Sequence, residues 1–177
     1  MFLCLYNRAL RARRSAEVDA GNHRGRRDAW KFLSAEAAKS VFDPAEPKEL
    51  RIHVAPGAAN PERVFVRGIV LTEQMVEVAQ FESRLLGVWF DAESRCRIRI
   101  LSPWLKPGRY FVNLYLCERS AILDVLERAC RFDVSPALPY VDCLLPESTR
   151  HGLVLADFDW VTDETPAALA LSRGAEG

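Results

Sequence analysis

Apolar and polar positions alternate with a period of two from Arg109 to Leu116. Tyr110, Val112, Leu114 and Leu116 form one set, and Arg109, Phe111, Asn113 and Tyr115 the other. Successive side chains of a strand point to opposite faces, so this pattern predicts a strand with one side in a core, launched by the Pro107-Gly108 turn. The same reasoning predicts further short strands over 49–55, 64–71, 76–81, 85–90, 95–101, 109–117, 129–134, 141–145 and from 152 into 160. Turn chemistry separates them: Pro56-Gly57, Asn60-Pro61, 91–94, 102–108, Ser135-Pro136 and 146–148. Many short strands at such spacing predict a mostly β chain, an antiparallel β-sandwich. Segment 120–128 is ambiguous, because Ile122, Leu123, Val125 and Leu126 also fit a helical turn. Further upstream, Ala29, Trp30, Phe32, Leu33, Ala37 and Val41 give an approximate helical stripe. Asp28 is placed to cap a short N-terminal helix running to about Ser40, which Asp43-Pro44 would end.

The expected organisation is thus a basic arm with the short helix over 1–47, the sandwich over 48–161 and a flexible tail over 162–177. A chain of 177 residues accommodates one cored domain with such extensions. With 49% hydrophobic and 27% charged residues it reads as soluble and folded, with no apolar run long enough to span a bilayer.

Formal net charge is zero, yet the signs are unevenly spread. Residues 1–31 carry Arg8, Arg11, Arg13, Arg14, Arg24, Arg26, Arg27 and Lys31 against Glu17, Asp19 and Asp28. Such an arm suits anionic lipid or nucleic acid, although a charge run is more often just solvated. The cysteines Cys4, Cys96, Cys117, Cys130 and Cys143 are odd in number and lack metal-type spacing, so a reducing compartment is expected and no disulfide framework or zinc site is.

Catalytic motifs are absent from the sequence: it has no phosphate loop, nucleotide fingerprint, nucleophile elbow or His-Glu-x-x-His. No cofactor or metal is implied, and the expectation is binding rather than catalysis. The candidate binding face combines Phe111, Asn113 and Tyr115, outward on one strand, with Arg97 and Arg99, outward on another. Aromatic faces stack on sugar C–H faces, and amide and guanidinium groups donate to hydroxyls. The competing reading covers Phe111 and Tyr115 with another element or a partner subunit.

Leu105-x-Pro107-Gly108-x-Tyr110, then Phe132-x-Val134, then Gly152-Leu153-Val154-Leu155 followed by Trp160, occur in an order that resembles the C-terminal domain of the ATP-binding subunit of O-antigen polysaccharide ABC transporters, the Wzt type. The resemblance covers about residues 48–161. It implies an immunoglobulin-like β-sandwich that binds an export-ready bacterial surface polysaccharide on the cytoplasmic side, close to the inner membrane. It also implies a homodimer by exchange of the last strand, here 152–160, and an association with a transporter ATPase or membrane subunit. The nucleotide-binding motifs of that family do not occur in these residues, so ATP hydrolysis is not expected of them. Nucleic acid is not an expected partner. The alternative is a protein-protein interaction or dimerisation module without glycan binding.

Overall fold

The computed structural model describes residues 29–57, 63–119, 121–137 and 152–156. Ten strands follow in chain order: β1 (Lys31–Ala37), β2 (Val41–Phe42), β3 (Lys48–Ala55), β4 (Phe65–Thr72), β5 (Glu77–Glu82), β6 (Ser94–Ile100), β7 (Trp104–Leu105), β8 (Gly108–Cys117), β9 (Ile122–Val134) and β10 (Val154–Leu155). A 3-10 turn, Ser83–Leu86, lies between β5 and β6. The chain is mostly β, as expected. No helix of the described residues is long and apolar enough to cross a membrane.

The strands form a three-stranded sheet of order β1-β3-β6, a five-stranded sheet of order β2-β9-β8-β4-β5 and a two-stranded ribbon of β7 and β10. Pairing is antiparallel except for β2 with β9, so the five-stranded sheet is mixed. One hydrophobic cluster joins the two larger sheets. Leu50, Ile52 and Val54 of β3 share it with Val66 and Val70 of β4, Val112, Leu114 and Leu116 of β8, and Phe132 of β9. A buried polar contact ties the layers as well, since the Phe32 amide donates to Asp124 Oδ2 at 2.9 Å. The bond is buried, and a donor left unpaired there would cost about 1–3 kcal/mol.

The helix expected up to Ser40 is instead β1, and a bulge explains the misreading. Phe32 pairs with Val54 but Ser34 with His53, so Leu33 is an inserted residue. The insertion shifts the phase, and Phe32 and Ala35 both turn inward at a separation of three residues. That separation imitates one side of a helix. From Ile122 onward, segment 120–128 resolves as the first part of β9, and position 120 lies outside the described residues. The strand expected over 85–90 is the 3-10 turn and its exit, with only Phe90 bridged to Val64. The strand expected over 141–145 lies outside the described residues, as do the rest of the 152–160 strand beyond Ala156, the arm over 1–28 and the tail.

Lys48 is buried in this fold, and its Nζ donates to the carbonyl oxygens of Asp43, at 2.9 Å, and Pro44. Burial lowers its pKa from 10.5 to about 8, against the opposing pull of Glu46 and Asp43. Below pH 8 the folded and unfolded chains both carry the proton and the cost of burying it is constant. Between pH 8 and 10.5 only the unfolded chain keeps it, so this group makes stability rise with pH. Burial raises the pKa of the thiols Cys96, Cys117 and Cys130, which has the opposite sign above about pH 9. Those thiols are common to the wild type and Lys48→Met. The stability difference between the two, measured by urea unfolding, should therefore move in favour of the wild type from pH 8 to 10. A difference independent of pH would show that the ammonium is solvated in the fold as it is when unfolded.

Candidate functional site

The structure divides the five expected glycan-binding residues between the two large sheets. Phe111, Asn113 and Tyr115 stand on the outer face of the five-stranded sheet, because Tyr110, Val112, Leu114 and Leu116 fill its inner face. Arg97 and Arg99 stand on the outer face of the three-stranded sheet, because Cys96, Ile98 and Ile100 turn inward. The two outer faces point away from each other, so these residues do not build one groove.

On the β8 side Phe111 and Asn113 are already engaged. Between the pairs Val112–Cys130 and Leu114–Leu126, β9 uses more residues than β8 and forms a bulge. Asn113 Oδ1 accepts the Arg128 amide at 2.8 Å and fastens this bulge, where Arg128 holds a φ of 51°. The Arg128 guanidinium lies 4.9 Å from the Phe111 ring centroid, in cation–π contact. All three expected residues are half-buried. Next to them, Glu82 is buried and accepts from Arg67 and Arg84. Burial opposes its charge, but the two arginine hydrogen bonds prevail and hold the carboxyl below its ordinary pKa.

The three-stranded sheet offers a different surface. Register places Glu49 opposite Arg99, Arg51 opposite Arg97 and His53 opposite Arg95. β6 borders this sheet, and its outward residues Arg95, Arg97 and Arg99 are exposed. Among the described residues none of the three makes an ion pair. Arg51, in contrast, lies 3.9 Å from Glu36 and 3.5 Å from Glu49, and His53 Nε2 lies 2.7 Å from Glu93. Like charges directly across a ladder are destabilising, so the Arg51–Arg97 pair is not explained by folding. Two adjacent shallow depressions, of ≈ 490 and ≈ 580 Å³, open on this side, and Arg97 borders both. Arg95, Arg51 and His53 thus join Arg97 and Arg99, and the alternating charges of β3 and β6 were the available sequence signal. Among the described residues, no group of three or more His, Cys, Asp or Glu side chains is arranged to hold a metal ion.

No family model and no curated protein matches the chain. Solved structures similar to part of it include the β-glucuronidase of Parabacteroides merdae, at 15% identity and a TM-score of 0.38, covering 59% of this chain and 14% of that one. Another is the alkylpurine DNA glycosylase AlkC of Pseudomonas fluorescens bound to DNA containing an abasic site analog. It is 13% identical with a TM-score of 0.40, covering 62% of this chain and 31% of that one. The chain therefore spans less than a third of either structure.

Proposed function

We propose that this chain is a non-catalytic binding module, an immunoglobulin-like sandwich that holds an acidic bacterial surface polysaccharide against the outer face of its three-stranded sheet. The observation that carries the proposal is the row Arg95, Arg97 and Arg99, spaced every second residue on one exposed strand without ion-pair partners among the described residues. Guanidinium groups bind carboxylate and phosphate in bidentate fashion, and a flat row of them suits an extended polymer better than a single small molecule. Arg51 and His53 widen the row, and the two depressions beside Arg97 leave room for sugar rings. Affinity would come from several weak contacts repeated along the polymer.

The export context, a cytoplasmic location at the inner membrane and a transporter ATPase as partner are part of this proposal and rest on the sequence resemblance alone. So does a homodimer formed by strand exchange. Within the described residues β10 pairs with β7 of its own chain, and an exchange would replace that pairing.

Affinity electrophoresis of the full chain in polygalacturonate, with dextran as the neutral control, tests the reading. The wild type should be retarded by the acidic polymer and not by dextran. Arg95→Gln, Arg97→Gln and Arg99→Gln combined should weaken retardation by at least about tenfold, the equivalent of one lost charge-assisted contact. Phe111→Ala with Tyr115→Ala should leave it unchanged. The reverse result would move the site to the β8 face, and equal retention by single-stranded DNA would make the row a general polyanion surface.

A further inference from the structure

Leu85 and Leu86 are 74% and 83% exposed, the most exposed large apolar side chains of the described residues. They do not sit on a slack loop. The Ser83 hydroxyl accepts the Val66 amide at 3.1 Å and donates to the Val88 carbonyl at 2.9 Å, while the Gly87 and Val88 amides return to the Arg84 and Ser83 carbonyls. Gly87 closes this turn at a φ of 73°, a left-handed conformation that glycine adopts without strain. The turn is therefore built to hold two leucines outward, which costs hydration free energy unless something covers them.

The surroundings identify what covers them. Trp89, 40% exposed, packs edge-on against Phe65 at 5.8 Å and has the Arg63 guanidinium 5.7 Å from its ring. Register brings the β8–β9 hairpin to the same end of the molecule, since Phe65 pairs with Cys117 and Cys117 with Ile122, and that hairpin exposes Arg119. Among the described residues, Arg63 and Arg119 make no ion pair. In the sequence, residues 1–28 carry seven arginines against three acidic residues. An exposed apolar tip, an indole with its cation Arg63 and the exposed Arg119 together match the layered chemistry of a bilayer surface. Acyl chains take the leucines, the interface takes the indole, and anionic headgroups take the arginines.

We infer that this end of the molecule docks on anionic phospholipid through the Leu85-Leu86 tip. The inference uses a different surface from the polysaccharide proposal and stands or falls separately. The test is flotation of the full chain with vesicles of phosphatidylcholine alone and of phosphatidylcholine mixed with phosphatidylglycerol. The wild type should float with the anionic vesicles only. Leu85→Ser with Leu86→Ser should weaken that binding by about tenfold, as expected for two partly inserted leucines, with an unchanged circular dichroism melting profile. Brominated lipid should quench wild-type fluorescence more than that of Trp89→Phe. A wild type that stays at the bottom with both vesicles overturns the inference. So does a double serine variant that floats like the wild type, which would leave the arm acting alone. Vesicle-independent self-association abolished by the serine pair would assign the tip to a second copy, and overturns it equally.

Discussion

Phe132→Ala is expected to destabilise the fold by about 3–5 kcal/mol, the usual cost of deleting a large aromatic side chain from a packed interior. Phe132 is 1% exposed, meets Phe42 edge-on at 5.3 Å and stacks with Tyr110 at 5.8 Å. These contacts unite β2, β8 and β9 where β2 is attached by only two residues in parallel register. Tyr110 has a second anchor, its hydroxyl donating to the Lys106 carbonyl at 2.8 Å. The cavity should therefore persist rather than close by movement of that ring. Against a typical total of about 5–15 kcal/mol, such a loss should be plain in urea unfolding. Phe132→Leu should recover more than half of it. A loss below about 1 kcal/mol for the alanine variant would mean that this end of the core repacks freely.

Gly68→Val is expected to cost about 1–3 kcal/mol, although valine favours strands and glycine does not. Gly68 on β4 pairs with Phe81 on β5, and a Cβ at position 68 would lie 2.0 Å from Phe81 Cζ. The ring of Phe81 lies flat over the missing side chain, an aromatic covering a cross-strand glycine. With valine present the ring must swing away and expose its face. The cost should therefore belong to the pair and not to position 68. In a Phe81→Ala background, Gly68→Val should be neutral or stabilising, so a double-mutant cycle should show coupling of about 1–3 kcal/mol. Additive effects would show that the ring is not held over the glycine.

Sequence patterning located β3, β4, β5, β6 and β8 to within a residue or two, and β3, β6 and β8 keep a two-residue alternation through most of their length. It failed where bulges break that alternation. Leu33 puts Phe32 and Ala35 on one side of β1, and the bulge around Arg128 separates the inward residues Leu126 and Cys130 by four positions. The first spacing belongs to helices, and the second fits a helix as well as a strand. In β9 the inward Asp124 also hides the pattern, since its carboxylate serves the Phe32 amide and looks polar in sequence. The 85–90 segment resembles a strand in sequence because its leucines are apolar, a property that marks burial only on average.

For the binding face, local pattern showed which side chains point out of each strand but not which strands share a sheet. Arg97 and Phe111 both face outward, and only the sheet order separates β6 from β8. Asn113 has a role that local pattern does not show. Its side chain fastens a bulge in β9, and that partner lies 15 positions along the chain.

The position of β6 has a consequence for behaviour at high concentration. Its far side has no neighbour in the described sheet, and such an open margin invites a second molecule to extend the ladder and begin fibrillar stacking. Three cations on the margin make that approach mutually repulsive, so the protein carries its own deterrent against zipping together. Raising ionic strength or saturating the guanidinium groups would silence the deterrent, and concentrated stocks of the protein should be kept dilute in salt.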